Sequence, residues 1–199
     1  VAKNKKNKKQ KILEAAARLF REKGYTATSM RDLAQAVDLK ASSLYNHISG
    51  KEGLLREICF NNAHRFHREL DQIEIREDSA EAKVRALIHL HIQVATEDIT
   101  SITAFNDEWR HLTEPHLSEF IAQRKSYESR FRSIIEAGMK DGSFKVFHAN
   151  IALYTIFSAI RWIYDWYQPG KSISMEQLEE EISGLLLNGL NADTTFQIL

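Results

Sequence analysis

Thr28, Tyr45, His47 and Lys51 carry hydroxyl, phenol, imidazole and ammonium groups that suit the oxygens of a phosphate backbone. Lys40, Ser42, Ser43 and Asn46 lie close together and carry side chains that suit base edges in a major groove. Arg31 suits either task. Between residues 40 and 48 the large apolar groups are only Leu44, Ile48 and the ring of Tyr45, so this stretch buries little by itself.

Other residue types raise catalytic or metal chemistry and support it poorly. His64 and His67 stand three apart on one helical face, as do Glu108 and His111, and either pair could ligate a metal. Such pairs are more often surface or satisfied structural groups, and no metal is expected. His89 and His91 point to different faces. Asp107 and Glu108 are adjacent and cannot both face one cleft from a helix, which makes a poor acid/base pair. Cys59 has no base beside it, and there is no glycine-rich phosphate loop or nucleophile elbow. The chain is therefore not read as an enzyme, and it calls for no cofactor.

The polar cluster needs elements to present it. Thr28 can cap a helix over 30–37, in which Met30, Leu33, Ala34 and Val37 recur at helical spacing. Asp38 stands where the chain must turn, and aspartate tolerates a left-handed backbone. Leu39 re-enters the core, and residues 40–48 form the second helix. Before this hairpin, a helix over 9–23 carries the stripe Ile12, Leu13, Ala16, Leu19 and Phe20, with Gly24 as its stop. After it, residues 51–73 form a long connecting helix that could transmit a shift to the rear of the chain.

The order Leu33-Ala34, a turn, Leu44-Tyr45-x-His47-Ile48, then Lys51-Glu52-x-Leu54-Leu55 resembles the DNA-binding domain of TetR-type repressors. Three positions depart from that pattern. Asp38 replaces the turn glycine, Lys40 stands where a capping serine is common, and Ile48 replaces phenylalanine. The spacing is intact. The resemblance covers residues 10–60 well and the remainder only by length and helix pattern. It implies the same DNA-facing residues as their chemistry does, and a palindromic operator read by a homodimer.

Composition agrees with an all-α chain. Of 199 residues 43% are hydrophobic, while there are only 8 Gly and 2 Pro. Cys59 is the one cysteine, which excludes an intrachain disulfide and fits a reducing cytoplasm. No apolar run is long enough to cross a bilayer, and the lysine-rich start has no apolar stretch after it, so neither membrane insertion nor secretion is expected. The net charge of zero hides a split. Residues 1–60 hold 13 Lys and Arg against 6 Asp and Glu, hence +7, and the remaining 14 and 21 leave −7. A basic front and an acidic rear suit a DNA-binding module joined to a domain of another kind. Six of the lysines lie in residues 3–11, as a solubilising tail or a DNA-contacting arm.

The organisation expected is a basic arm and helix-turn-helix over 1–55, then a helical ligand-binding and dimerisation domain over 56–199. In the rear domain, helices are expected over 80–96, 99–112, 115–137 and 148–167, with Ser79 able to cap the first. Gly138 ends the third, Asp141-Gly142 makes a turn, and Pro169-Gly170 ends the fourth. Ser174 with Gln177 resembles a capping box opening a last helix to 190. The 148–167 segment is apolar on more than one face, so a second copy is expected to cover part of it and the last helix. Charge placed at Phe157 or Leu186 is expected to give monomer or misfolded protein. In TetR-type repressors the last two long helices form the homodimer. Trp162 and Trp166, then Tyr167-x-Pro169-Gly170, with Gly189-Leu190 at the end, resemble the branch that controls fatty-acid or sterol catabolism. That resemblance implies an acyl-CoA effector.

For the effector, Phe105, Trp109, Phe131, Tyr154, Phe157, Trp162 and Trp166 supply apolar surface, and Asn106, Arg110 and Arg161 supply polar groups. Arg161 within a nearly apolar helix must meet either a carboxylate of the chain or an anionic group of the ligand. The function expected is a ligand-responsive repressor released from its operator by a small hydrophobic effector. The rival expectations are a ligand-independent DNA-binding activator and a helical protein–protein adaptor.

Overall fold

The structure, a computed structural model, describes residues 2–168, 171 and 173–190, with side chains from residue 8 to 189. The described residues include ten α-helices and one 3-10 turn. These are α1 (Ala2–Lys23), α2 (Met30–Ala36), α3 (Ala41–Leu44), α4 (Lys51–Glu74), α5 (Ala80–Glu97) and α6 (Ile99–Asp107). After the 3-10 turn Trp109–His111 come α7 (His116–Asp141), α8 (Ala149–Arg161), α9 (Ile163–Trp166) and α10 (Met175–Leu190). The chain divides into two compact units, Val1–Arg65 with Asp98–Gln123, and Phe66–Glu97 with Arg124–Leu199. This grouping follows compactness and not the chain order of the expected division at residue 55.

In the first unit, α1 begins at Ala2, where the sequence predicts a start at residue 9. Lysine and glutamine are good helix formers, and they extend the helix outward from its buried stripe of Ile12, Leu13, Ala16, Leu19 and Phe20. Gly24 ends it at φ +82, its N–H bonded to the Phe20 carbonyl at 2.9 Å. Thr28 does not cap α2. Its hydroxyl donates backward to the carbonyls of Leu19 at 3.3 Å and Gly24 at 2.8 Å, at the end of α1. The cap is Ser29. Its hydroxyl accepts the Asp32 N–H, and the Asp32 carboxylate accepts the Ser29 N–H at 2.8 Å. The Ser29 hydroxyl, which donates to the same carboxylate at 2.5 Å, then the Ser29 N–H and Lys23 at 3.1 Å, hold the Asp32 carboxyl well below the usual carboxylate range.

Asp38 takes φ +52 at the turn, and the Leu39 N–H returns to the Ala34 carbonyl at 2.9 Å. α3 is shorter than the predicted 40–48. Lys40 stands at its N-cap with no side-chain hydrogen bond, and after Leu44 the chain continues as tight turns. Leu33, Ala34 and Leu44 are the buried anchors of the hairpin. α6 packs against α1, and Asn62 of α4 donates from the core to Ser101 Oγ at 2.7 Å. The predicted helix over 99–112 stops at Asp107, and the 3-10 turn comes next.

In the second unit, α5 is central, with neighbours α8, α9 and α10. It therefore buries Leu90, Ile92 and Val94 in addition to Val84, Leu87, Ile88 and Ala95, which helical spacing puts on one side together with the half-buried His91. Ser79 caps it, its Oγ accepting the Ala82 N–H at 3.2 Å. Gly138 is not the end of α7, which runs to Asp141. A Cβ on Gly138 would lie 2.4 Å from the Phe144 ring and 2.9 Å from Ala80, so glycine is there for close approach. The stop is Gly142 at φ +85. The predicted 148–167 helix breaks at Trp162 into α8 and α9. Ser174 Oγ accepts the Gln177 N–H at 3.2 Å, but the Gln177 amide turns to Glu181, so the capping box is half made. The Pro169-Gly170 turn and the Leu190 side chain lie outside the described residues.

Candidate nucleic-acid interface

Around the turn at Asp38, burial sorts the polar residues by task. Leu44 is fully buried, while Tyr45 is 57% exposed, and Arg31, Lys40, Ser42 and Asn46 are exposed with it. Ser43 and His47 are half-buried. Residues 40–46 thus turn one ammonium, a serine hydroxyl, an amide and a phenol outward from a segment pinned by one leucine. Such groups can donate to phosphate oxygens and to base edges.

Two residues expected among the DNA contacts are committed elsewhere. Thr28 is 1% exposed and its hydroxyl is used on α1, so it offers no side-chain donor to a phosphate. Lys51 donates from Nζ to the carbonyls of Tyr25 at 2.7 Å and Thr28 at 2.8 Å, with the Tyr25 ring 4.2 Å away. It closes the loop before α2. His111 stacks on the Tyr25 ring from its own side, at 5.0 Å. Ser29, exposed at the start of α2, is absent from the residues that sequence reasoning singles out; the Ser-x-x-Asp spacing over 29–32 is the signal that marks it. At the lysine-rich start, Lys9 pairs with Glu57 at 2.7 Å, and Lys8 and Lys11 are exposed.

The residues expected around an effector fall into separate groups. In the first unit, Phe105 and Trp109 both meet Phe120, at 5.5 and 6.0 Å, and Arg110 lies over the Trp109 ring at 4.6 Å. Asn106 is half-buried beside them in sequence. In the second unit, Phe131 and Phe157 meet at 5.6 Å inside an aromatic core with Phe66, His91 and Tyr127. Tyr154 and Trp162 instead line an open, mostly apolar groove along α8, with Ile151, Thr155, Ser158 and Ala159. Trp166 is 52% exposed. Arg161 is exposed as well, its Nε donating to the Tyr164 hydroxyl at 3.1 Å. The premise that Arg161 pays for burial within an apolar helix is corrected: α8 buries Ala152, Leu153, Ile156 and Ile160, and residue 161 falls on the opposite face.

Among the described residues no group of three or more His, Cys, Asp or Glu is placed to hold a metal ion. No described helix is long and apolar enough to cross a membrane.

Residues 12–58 match the family described as bacterial regulatory proteins, tetR family. Residues 77–190 match the tetracyclin repressor-like C-terminal domain. A transcriptional repressor of Rhodococcus jostii, KstR2, is 26% identical over 191 residues, covering 94% of this chain and 92% of its own. The crystal structure of PfmR from Thermus thermophilus, a TetR family transcriptional regulator, superimposes with a TM-score of 0.78 at 29% identity, covering 90% of this chain and 98% of that one. AibR, crystallised with isovaleryl coenzyme A and operator DNA, gives 0.80 at 25% identity, covering 90% and 98%. The two family matches cover both ends of the helical architecture, and the exposed face at residues 40–46 lies within the first of them: the chain belongs to the tetR family of bacterial regulatory proteins, which are DNA-binding transcription regulators and not enzymes.

Proposed function

We propose that this chain is a homodimeric repressor that binds a palindromic operator and is released from it by a small hydrophobic effector. The observation that carries the DNA reading is the outward polar face of residues 40–46 on the buried Leu44. Lys40, Ser42, Ser43 and Asn46 read base edges, and Arg31, Tyr45 and His47 bind phosphates. Lys51 and Thr28 act indirectly, by shaping the loop that opens α2. Two recognition segments in a dimer meet successive major grooves about 34 Å apart. An effector that prefers a different spacing shifts the population away from the DNA-bound form.

Support for the dimer comes from the open face of the second unit. Ile151 on α8 is 67% exposed, Trp162 at its C-terminal end 64% and Leu185 on α10 78%, an unusual exposure of large apolar groups. Phe157 and Leu186 are only half-buried within the unit, so Ile151→Lys and Leu185→Lys are the cleaner tests. Support for an acyl-CoA comes from AibR, which was crystallised with isovaleryl coenzyme A and operator DNA. Support for a sterol-related molecule comes from the similarity to KstR2, described as a ketosteroid transcriptional regulator; that crystal structure, from Mycobacterium tuberculosis, is 20% identical.

The test is a footprint on the DNA flanking the protein's own gene, titrated with acyl-CoAs. A protected palindrome that is lost on adding a thioester supports the reading. Protection insensitive to every ligand favours a ligand-independent regulator. Light scattering should give a dimer for the unmodified protein and a folded monomer, without operator protection, for the Ile151→Lys/Leu185→Lys double variant.

A further inference from the structure

His91 of α5 and Tyr127 of α7 share a hydrogen bond of 2.9 Å between Nε2 and the phenol oxygen. Three phenyl rings and the His67 imidazole, whose ring centre lies 5.7 Å from that of Tyr127, surround the pair. Phe66 stacks on the imidazole at 4.6 Å, and Phe157 and Phe131 lie 5.2 and 6.4 Å from it. Burial lowers the His91 pKa to about 3, so the imidazole is neutral at physiological pH. Burial likewise pushes the Tyr127 phenol up, so it keeps its proton. Deep as they lie, His91 and Phe157 are only half-buried, so the box is not sealed around the imidazole.

Apolar residues in these two places would complete the core without the desolvation cost of two polar groups. One shared hydrogen bond also leaves capacity on both partners. With the ring proton on Nε2, the imidazole donates to the phenol oxygen and leaves the phenol O–H free to donate to a third group. A chain of this kind polarises the terminal donor and strengthens it.

The charged groups nearby determine what that third group is. Arg130 is the cation that acts on Tyr127. Its guanidinium donates to Glu74 at 3.1 Å and to Asp71 at 2.6 Å, and it meets His67 Nδ1 at 3.4 Å. Its charge is already balanced. A carboxylate beside His91 and Tyr127 would sit among aromatic rings and compete for a cation that already holds two carboxylates, whereas a neutral carbonyl oxygen needs only a donor.

We propose that His91 and Tyr127 are the polar end of the effector site, donating to a neutral carbonyl oxygen on an otherwise apolar molecule whose carbon body lies against Phe66, Phe131 and Phe157. The proposal rests on the effector reading under Proposed function and moves its polar recognition from Arg161 to the interior of the second unit. A thioester and a ring ketone both carry the required neutral carbonyl, and a free acid, ionised to a carboxylate at neutral pH, does not.

The test titrates the full-length protein, by calorimetry, with isovaleryl-CoA, octanoyl-CoA and progesterone. Isovalerate, octanoate and CoA alone serve as controls. Tyr127→Phe keeps the ring and removes the donor. At least one carbonyl probe should bind, its free acid far more weakly, and Tyr127→Phe should weaken the probe by about tenfold, the worth of one hydrogen bond. The infrared C=O band of the bound probe should be shifted to lower frequency in the wild type and lose most of that shift in the variant. Whether a thioester or progesterone responds identifies the source of the carbonyl. Thermal unfolding without probe checks each variant's fold. If Tyr127→Phe does not fold, His91→Gln replaces it and should reduce the same band shift.

Undiminished affinity in the variant with an unchanged carbonyl band overturns the proposal and leaves the effector reading standing. Free acids that bind as tightly as the carbonyl probes also overturn it. If no probe binds the wild type, the effector reading fails for these classes and the proposal fails with it.

Discussion

The recognition hairpin and the aromatic core of the second unit handle polar groups in opposite ways. In the hairpin, Leu33, Ala34 and Leu44 are buried and nearly everything polar points outward or closes a local cap. In the second unit a histidine and a tyrosine go inside, among phenylalanines. The first arrangement needs few long-range contacts, because Ser29, Asp32, Asp38 and Thr28 satisfy backbone groups within about ten residues of themselves. The second depends on helices distant in sequence arriving together. Surface chemistry can change with little cost to the fold, whereas the interior pair is bound up with stability.

The comparison breaks most readily at Phe131. It is fully buried, and Phe131→Ala should cost about 3–5 kcal/mol of unfolding free energy, measured by urea denaturation. A loss below 1 kcal/mol, on the order of a surface change, would mean the aromatic core is loosely packed.

Acid sharpens the contrast next. His91 stays neutral in the folded chain down to about pH 3, and in the unfolded chain it protonates near 6.5. Between those values the unfolded chain holds more protons, so stability is complete above about pH 6.5 and falls as the pH drops toward 3. At pH 5 the loss is about 2 kcal/mol, or somewhat less because the ring is not sealed. Denaturation at pH 7 and pH 5 should show it, and His91→Phe should abolish it. Asp32 is shifted by favourable bonds to its charged form, and its contribution is lost only as the pH falls below the ordinary carboxylate pKa of 3.8. The two groups therefore separate at pH 5.

A smaller effect is expected at the cap. Ser29→Ala should lower stability by about 1 kcal/mol, and Thr28→Ser, which keeps the donor and loses one buried methyl, should cost less than Thr28→Ala. If Thr28→Ala cost less than Ser29→Ala, the assignment of the two hydroxyls would be reversed.

The smallest effect on stability falls on the outward face. The Lys40→Ala/Ser43→Ala double variant should unfold within about 0.5 kcal/mol of the wild type and yet protect a different set of operator sequences in a footprint. An unchanged preference would remove these residues from base recognition.

The sequence by itself determined the all-helical class, the hairpin with its turn at Asp38, and the outward chemistry of residues 40–46. Those features come from helical spacing and from polar residues too dense to bury, which are local properties. It also carried the Ser29 cap in its Ser-x-x-Asp spacing, beside a Thr28 that competes for the same task on residue type alone. Tertiary structure alone decided how similar residue types divide. Gly24 stops a helix and Gly138 lets Phe144 and Ala80 approach; Phe131 is core and Trp162 is surface; Arg161 is exposed and His91 is half-buried among rings. Periodicity reports which side of a helix is apolar. It places His91 on the apolar side of α5, but it does not report that aromatic rings from α4, α7 and α8 meet the imidazole there.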